Sequence, residues 1–450
     1  MKTSSLRDIV ASFAAAGLEV FERMTGRRQD GLVSMCKRLL HLKGEASTLF
    51  LAHDILATYN RLSSRDRLSF FKRLLAEFMP DPEGLKQAIT RYQREPTPST
   101  VAALGAAAES PRQELFRLLN AGPDGTAAII RMRQDLRGMI IENSDLKLVD
   151  ADLKHLLHAW FNPGFLRVER ISWKTPAFIL EKLIHYESVH EIQGWDDLQR
   201  RLADDRRCFA FFHPALPDEL LIFVEIALMR GLVGSIQEVL SAETPDPNGD
   251  FRPTAAIFYS INNCQPGLAG VPFGNFLIKQ VTDALAEEIP TLKHYATLSP
   301  VPGFRAWLNE ETKSPQSAIE LSESERACLA QLAEPAWHEN IHAVRQLKPL
   351  LTYLCAYYLV NAKRGDEPRD PVARFHLRNG ARFERINWLA DRSEKGLRES
   401  AGLLVNYVYD RKAVARNHEA YVNDNEIVRS PAIDLLLKER PHAQHSGTGN

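Results

Sequence analysis

The sequence predicts an α+β protein in which an all-helical region is followed by a mixed-sheet region with additional C-terminal helices. Its 450 residues exceed what one ordinary core accommodates, and 44% of them are hydrophobic, as in globular proteins. Helical periodicity extends through residues 1–162, whereas short β-favouring runs begin only beyond residue 163. We therefore expect a helical N-terminal domain over 1–162, a mixed-sheet domain over 163–440 and a disordered tail over 441–450.

The helical prediction rests on apolar stripes and on helix-start signals. Apolar residues recur at helical spacing over 6–21 and again over 49–59. Ser110, followed by Pro111 and Gln113, predicts a helix start with a capping box. We interpret the stripes as faces that pack against neighbouring helices.

Four strands are predicted from runs rich in β-branched and aromatic residues. They are expected near residues 207–212, 220–228, 255–262 and 294–298. The first two are joined by a turn-rich connection, which predicts a hairpin. The charged, proline-containing segment 361–374 predicts a loop.

A glycine-rich turn lies between the third and fourth predicted strands and precedes an amphipathic helix. A strand, such a turn and a helix N-terminus together can bind phosphate through backbone N–H groups and the helix dipole. The turn matches neither the P-loop nor the dinucleotide-binding pattern. Gln265, Gly267 and Gly270 instead resemble the Gln/Arg-x-x-Gly-x-Gly/Ala loop of the GNAT acyltransferase fold, which holds the pyrophosphate of coenzyme A. On this pattern alone, a purely structural turn is an equal alternative.

The candidate coenzyme A-binding residues cover the whole turn. They are Gln265, Gly267, Leu268, Ala269, Gly270, Val271, Pro272, Phe273, Gly274 and Asn275.

Charge, cysteine spacing and hydropathy argue against several classes of protein. A net charge of −1 provides no basic surface for nucleic acid. The five cysteines are scattered without a Cys-x-x-Cys pair, so we expect free thiols and no structural zinc. No apolar run approaches a membrane span, and early acidic residues argue against a targeting peptide. These features favour a cytoplasmic protein without membrane partners.

One short pattern is typical of a metal site. His338, Glu339 and His342 match His-Glu-x-x-His, which on a helix places two imidazoles on one face. No extension supplying a third ligand follows. We therefore interpret the segment as a polar helix face.

Four blocks of the sequence resemble malonyl-CoA decarboxylases. They cover residues 255–261, 270–279, 298–304 and 375–388, the last ending in a further match at 406–409. The resemblance extends over most of the chain and is closest over 160–410. It implies a GNAT-like catalytic domain behind a helical domain, a homo-oligomer (a tetramer or a dimer), and conversion of malonyl-CoA to acetyl-CoA and CO2. Animal members carry a glutamate where this chain has Pro272, so no catalytic role is transferred to that position.

This reaction requires no metal or pyridoxal, because the thioester carbonyl itself accepts the electron pair of the breaking C–C bond. The protein must bind the coenzyme A part of the substrate, stabilise the enolate oxygen and protonate carbon 2. We therefore expect no cofactor, since coenzyme A is part of the substrate.

Three residues are candidates for the chemistry. The resemblance implies that Ser299 is catalytic, that His376 is the proton donor and that Tyr409 is a further active-site residue. From the residues alone, Ser299 is better interpreted as an ordinary strand-end serine and His376 as a core histidine, whereas a packed tyrosine is an equal alternative for Tyr409. No Gly-x-Ser-x-Gly turn surrounds Ser299, which argues against an acyl-serine nucleophile. A near-neutral imidazole is the usual general acid, in agreement with the role implied for His376.

Two other functions stay open. A GNAT-type acyl-CoA transferase would need an acceptor slot and a base, for which no motif is evident. A non-catalytic acyl-CoA-binding regulator would keep the glycine-rich turn but would not need Ser299 and His376. Apolar faces in the helical domain favour assembly through residues 1–160.

Overall fold

The structure is a computed structural model that describes residues 28–241, 251–271, 277–314, 319–438 and 440. The predicted helix over 6–21 and the predicted tail over 441–450 lie outside these ranges. The chain divides into two compact units. We call the first the N-terminal unit, whose described residues are 28–166, 213–219 and 265–271. The remaining described residues form the sheet unit.

The N-terminal unit is built from helices, and its described residues up to 166 contain no strand. The helices are α1 (Arg28–His41), α2 (Glu45–Asn60), α3 (Ser64–Glu77), α4 (Pro82–Arg94), α5 (Pro98–Ala108), α6 (Pro111–Ala121), α7 (Gly125–Met139) and α8 (Lys147–Trp160). Local chemistry explains several starts. Asp81 accepts hydrogen bonds from two first-turn N–H groups of α4, and Pro82 occupies the first position of that helix.

Helix packing follows the apolar stripes. In α2, Leu51, Ile55 and Tyr59 recur at helical spacing and are buried, as the stripe over 49–59 predicts. The capping box predicted at Ser110 is wrong, because both of its side chains have a tertiary partner. The Ser110 hydroxyl donates to Asp152 over 3.1 Å, and the Gln113 amide donates to the same carboxylate over 2.8 Å.

The sheet unit contains a mixed sheet. Its strands are β1 (Arg167–Ile171), β2 (Arg206–Phe212), β3 (Ile222–Met229), β4 (Ala255–Asn263), β5 (His294–Thr297), β6 (Ser299–Pro300), β9 (Arg382–Asn387) and β10 (Leu404–Val408), and a separate hairpin is formed by β7 (Lys363–Arg364) and β8 (Glu367–Pro368). The order in the sheet is β1-β2-β3-β4-β5-β10-β6, with β9 also paired to β10. Among the described strands of this sheet, only β4 and β5 pair in parallel. The α+β class that the sequence predicts, with a helical N-terminal region followed by a mixed sheet, is confirmed.

The four predicted strands are found within two residues of their expected ends, and the last of them corresponds to β5. The loop predicted over 361–374 is wrong. Gly365, at φ +65°, allows the tight turn of the β7–β8 hairpin, and a helix begins at Pro371.

Helices complete the sheet unit. They are α9 (Ala177–Tyr186), α10 (Trp195–Arg201), α11 (Ile236–Ser241), α12 (Leu277–Glu288), α13 (Phe304–Lys313), α14 (Glu323–Ala330), α15 (Ile341–Val360), α16 (Pro371–Arg378), α17 (Glu394–Ser400), α18 (Val414–Asp424) and α19 (Pro431–Lys438). One core cluster joins Ile257 of β4, Ala296 of β5 and Leu404 of β10 to Ile236 of α11. Among the described helices, none is long and apolar enough to cross a membrane.

Candidate active site

The three candidate catalytic residues meet inside the sheet unit. Ser299 begins β6 and lies opposite Val405 of β10. Tyr409 directly follows β10, and its backbone N–H donates to the carbonyl of Tyr295 over 2.8 Å. His376 lies in α16, and all three candidate side chains are buried. Strand pairing and one short helix therefore bring together residues that are distant in sequence.

A continuous chain of hydrogen bonds joins these side chains. Ser299 Oγ lies 2.9 Å from His376 Nε2, and the other ring nitrogen, Nδ1, lies 2.8 Å from the Tyr409 hydroxyl. At the opposite end, Ser299 Oγ donates to Thr297 Oγ1 over 2.8 Å. The arrangement thus runs from Tyr409 through His376 and Ser299 to Thr297.

The donor directions determine the tautomer of the histidine. Because Ser299 has a single hydroxyl proton and donates it to Thr297, its oxygen accepts from His376 Nε2. A neutral imidazole that carries its proton on Nε2 accepts at Nδ1, so the Tyr409 hydroxyl donates there. His376 therefore directs an N–H group at Ser299.

Burial keeps both titratable members of the chain uncharged. It lowers the pKa of His376 to about 3 and raises the pKa of Tyr409 well above its ordinary value. The expectation of a near-neutral imidazole is therefore wrong for the unliganded site, because no described carboxylate faces the ring to offset its desolvation. At neutral pH the site holds a neutral imidazole and a protonated phenol.

Neighbouring residues fix the orientation of the imidazole. The Tyr407 ring stacks on His376 with centroids 4.6 Å apart and planes inclined by 25°. Asp370 caps α16 by accepting from the backbone N–H of Ala373 over 2.7 Å, and burial raises the pKa of this carboxyl to about 6. The orientation of His376 is thus supported both at its ring and at the start of its helix.

Thr297 is itself held in place. Its hydroxyl oxygen accepts from the backbone N–H of Tyr407 over 3.2 Å, and its carbonyl accepts from Asn406 Nδ2 over 2.7 Å. Sequence reasoning missed Thr297, Tyr407 and Asp370. The Asp370-Pro371 pair is a helix-start signal that could have revealed the cap, whereas nothing in the sequence distinguishes Thr297.

The described part of the glycine-rich turn, 265–271, belongs to the N-terminal unit. Gly267 is buried, and its carbonyl accepts from Arg133 Nη1 over 2.7 Å. A Cβ at this position would lie 2.0 Å from the carbonyl oxygen of Ile130. Gly267 is therefore required for packing against α7, and its part in coenzyme A binding stays a prediction.

Gly270 differs from Gly267, because it is exposed and has a φ of +76°. The N–H groups of Leu268, Ala269 and Val271 donate within the turn, to Gln265, Pro266 and Leu268 respectively. Among residues 267–271, Gly270 is thus the exposed position whose N–H is not used by these turn bonds. The candidates Pro272, Phe273, Gly274 and Asn275 lie outside the described residues.

The histidine pair that matches a zinc motif does not share one helix. His338 lies in the 3-10 turn Trp337–Glu339, whereas His342 lies in α15. Asn340 separates them and caps α15 by accepting from the N–H of His342 over 3.0 Å. The interpretation of the segment as one helix face is therefore wrong. In the ranges that the structure describes, no group of three or more His, Cys, Asp or Glu residues could hold a metal.

Comparison with known proteins gives consistent matches over both units. The family model of the malonyl-CoA decarboxylase C-terminal domain matches residues 164–447, and that of the N-terminal domain matches residues 78–161. The crystal structure of malonyl-CoA decarboxylase from Rhodopseudomonas palustris is 45% identical, with a TM-score of 0.87 over 91% of this chain and 99% of that chain. The corresponding structure from Agrobacterium vitis is 45% identical, with a TM-score of 0.85. The match covers 91% of this chain and 100% of that chain.

A curated vertebrate relative also matches. The mitochondrial malonyl-CoA decarboxylase of the goose Anser anser anser is 37% identical over 333 residues, which are 68% of this chain. The match spans just under two thirds, 66%, of the goose protein.

Proposed function

The chain belongs to the malonyl-CoA decarboxylase family, and we propose that Ser299, His376 and Tyr409 carry out the decarboxylation of malonyl-CoA to acetyl-CoA and CO2. The observation that carries this assignment is the buried chain of hydrogen bonds from Tyr409 to Ser299. It supplies one hydroxyl for the thioester oxygen and one N–H for carbon 2. These are the two groups that a carboxy-lyase acting through an enolate needs.

In the proposed reaction, the bond between carbon 2 and the carboxylate breaks, and its electron pair moves into the thioester carbonyl. CO2 leaves, and the Ser299 hydroxyl turns from Thr297 to stabilise the enolate oxygen. The enolate carbon is a strong base, so the Nε2–H of a neutral imidazole suffices to protonate it. This step does not require an imidazolium, which the lowered pKa of His376 disfavours.

Tyr409 completes the proton balance. As Nε2 gives its proton to carbon 2, Nδ1 takes the proton of the Tyr409 hydroxyl, and the imidazole stays neutral. The Nδ1 proton then returns to Tyr409 and a solvent proton is delivered to Nε2, which restores the starting tautomer. The net consumption of one solvent proton matches the conversion of a carboxylate into CO2 and a C–H bond.

The carrier is assigned to the glycine-rich turn. We propose that coenzyme A binds along Gln265–Asn275, with Gly270 contributing the exposed backbone N–H of the described part. Arg133 supports the turn by donating a hydrogen bond to the carbonyl of Gly267, and it forms an ion pair with Asp150 over 2.8 Å. No metal or organic cofactor is needed, because the thioester itself accepts the electrons.

Assembly and location are also proposals. Exposed apolar side chains in the N-terminal unit, among them Ile141 and Leu148, favour a homo-oligomer, which sedimentation at micromolar concentration tests. The five cysteines are free thiols, in agreement with a reducing compartment and a cytoplasmic protein. Cell fractionation tests the location, which matters because the goose relative is named as mitochondrial.

Product analysis distinguishes the proposed activity from its alternatives. Incubation with malonyl-CoA alone is expected to give acetyl-CoA and CO2. Acyl transfer that requires an added amine would instead indicate a GNAT-type transferase, and binding without turnover would indicate a regulator. The same assay with a chelator tests cofactor independence. A loss of rate that added metal restores would contradict it, and His342→Asn would then test the His338–His342 pair.

A further inference from the structure

A lysine of helix α8 lies against the exposed position of the glycine-rich turn. A Cβ built on Gly270 would lie 3.6 Å from Cε and 3.7 Å from Nζ of Lys154. Both residues belong to the N-terminal unit, and both are exposed. The ammonium group of Lys154 therefore lies beside the backbone of Gly270.

Lys154 has no protein partner within the described ranges: it makes neither a hydrogen bond nor an ion pair there. The usual partner of a helical lysine is a carboxylate four residues earlier, which here is Asp150. Both oxygens of Asp150 instead accept from Arg133, at 2.8 and 3.4 Å. The ammonium group is thus available to a ligand.

The turn itself offers few donors in its described part. Three of its N–H groups donate within the turn. A diphosphate bound here would carry charge that one N–H of Gly270 cannot offset. A flexible cation beside Gly270 supplies the missing charge, because a lysine ammonium is a compact point charge that suits phosphate oxygens.

We propose that Lys154, on the N-terminal helical unit, binds the diphosphate of the coenzyme A carrier together with the backbone N–H of Gly270. This inference rests on the proposed function, since it takes a coenzyme A thioester as the substrate. It assigns to the helical unit a direct part in substrate binding. Arg133 and Asp150 then act as positioning residues that hold the turn and leave Lys154 unpaired.

The test compares Lys154→Ala with the parent enzyme on three substrates that differ only in the carrier. These are malonyl-CoA, malonyl-dephospho-CoA, which lacks the 3′-phosphate, and malonyl-pantetheine, which lacks the diphosphate. Loss of one charge-assisted hydrogen bond is expected to raise KM about 10-fold to 100-fold for the first two substrates, with kcat unchanged. The KM for malonyl-pantetheine is expected to stay the same, and Lys154→Arg is expected to recover most of the loss.

Lys147→Ala is the matched control, because Lys147 is an exposed lysine at the start of the same helix. It is expected to leave all three KM values unchanged. A penalty that disappears with malonyl-dephospho-CoA would move Lys154 to the 3′-phosphate and overturn the diphosphate assignment. An unchanged KM for malonyl-CoA, or an equal penalty on malonyl-pantetheine, would also overturn it.

Calorimetric titration with coenzyme A separates this inference from the proposed function. The titration requires no turnover, so it reports on Lys154 even if malonyl-CoA is not decarboxylated. Weaker binding by Lys154→Ala, with an unchanged unfolding temperature, supports the inference. Equal binding by the two proteins contradicts it.

Discussion

Tyr409→Phe isolates the hydrogen bond that sets the tautomer of His376. The substitution removes one oxygen and leaves the ring of residue 409 beside Phe258, with centroids 6.4 Å apart in the present structure. His376 Nδ1 then loses its 2.8 Å donor and becomes a buried acceptor without a partner. Such a loss costs about 1–3 kcal/mol. The bias that keeps the proton on Nε2, directed at Ser299, is lost at the same time.

The cost applies mainly to the transition state, because Tyr409 gives up its proton only as carbon 2 is protonated. Because about 1.4 kcal/mol of activation free energy corresponds to a tenfold change in rate, this cost corresponds to a decrease in kcat of about 5-fold to 150-fold. The KM for malonyl-CoA is expected to change less than kcat, because the carrier contacts are unaltered.

The assay is steady-state formation of acetyl-CoA, with Tyr421→Phe as the control. That variant also deletes a buried phenol oxygen, but Tyr421 bonds Glu367 over 3.2 Å and not the histidine. The control is expected to retain its kcat. If Tyr409→Phe turned over within twofold of the parent enzyme, Tyr409 would not determine the tautomer of His376.

Three further predictions concern the serine, the turn and pH. Ser299→Ala removes the proposed oxyanion donor and is expected to lower kcat by about 10²–10³-fold, while the affinity for coenzyme A measured by calorimetry stays unchanged. Equal losses in kcat and in coenzyme A affinity would contradict this role. Gly267→Ala is expected to destabilise the protein by about 1–3 kcal/mol and to raise KM, because its Cβ would meet the Ile130 carbonyl at 2.0 Å; an unchanged unfolding midpoint and KM would contradict the packing. The folded-state pKa of His376, about 3, lies below its ordinary value, so kcat is expected to show no inflection from this residue between pH 5 and 8. An inflection near the ordinary histidine pKa that persists in Asp370→Asn would contradict this, since Asp370 titrates at about 6.

The parts of the fold that the sequence predicted are those in which the pattern of apolar residues is enough to show which side chains are buried. The stripe in α2 and the apolar runs of β2, β3 and β4 belong to this class. The strand β1 was missed because its sequence, Arg-Val-Glu-Arg-Ile, leaves most of its residues exposed. The strand β9 was missed because charged residues interrupt it and leave no continuous apolar run.

Tertiary partners account for the local errors. A capping signal at Ser110 was correctly placed at a helix start, but its side chain bonds Asp152, which is distant in sequence. Gly267 was singled out as part of a glycine-rich turn, and its close packing against α7 was not foreseen. Neither partner could be inferred from neighbouring residues.

The candidate site was identified from a resemblance and not from spacing. Ser299 and His376 meet because β6 pairs with β10 and because α16 places the imidazole of His376 beside Ser299. The separation of the two residues in the sequence does not indicate this contact. The tautomer and the lowered pKa of His376 depend on burial and on the donor direction of Ser299. Both properties require the folded structure.

The central claim is that His376 protonates carbon 2 during decarboxylation of malonyl-CoA. The most direct measurement is acetyl-CoA formation in a single turnover of malonyl-CoA with excess enzyme, which compares His376→Asn with the parent and with His342→Asn. His342 is exposed on α15 and provides the same substitution outside the site. We expect acetyl-CoA formation to slow by about 10²–10⁴-fold in His376→Asn, with malonyl-CoA still bound, and to be unchanged in His342→Asn. A His376→Asn enzyme that formed acetyl-CoA at near the parent rate would contradict the account.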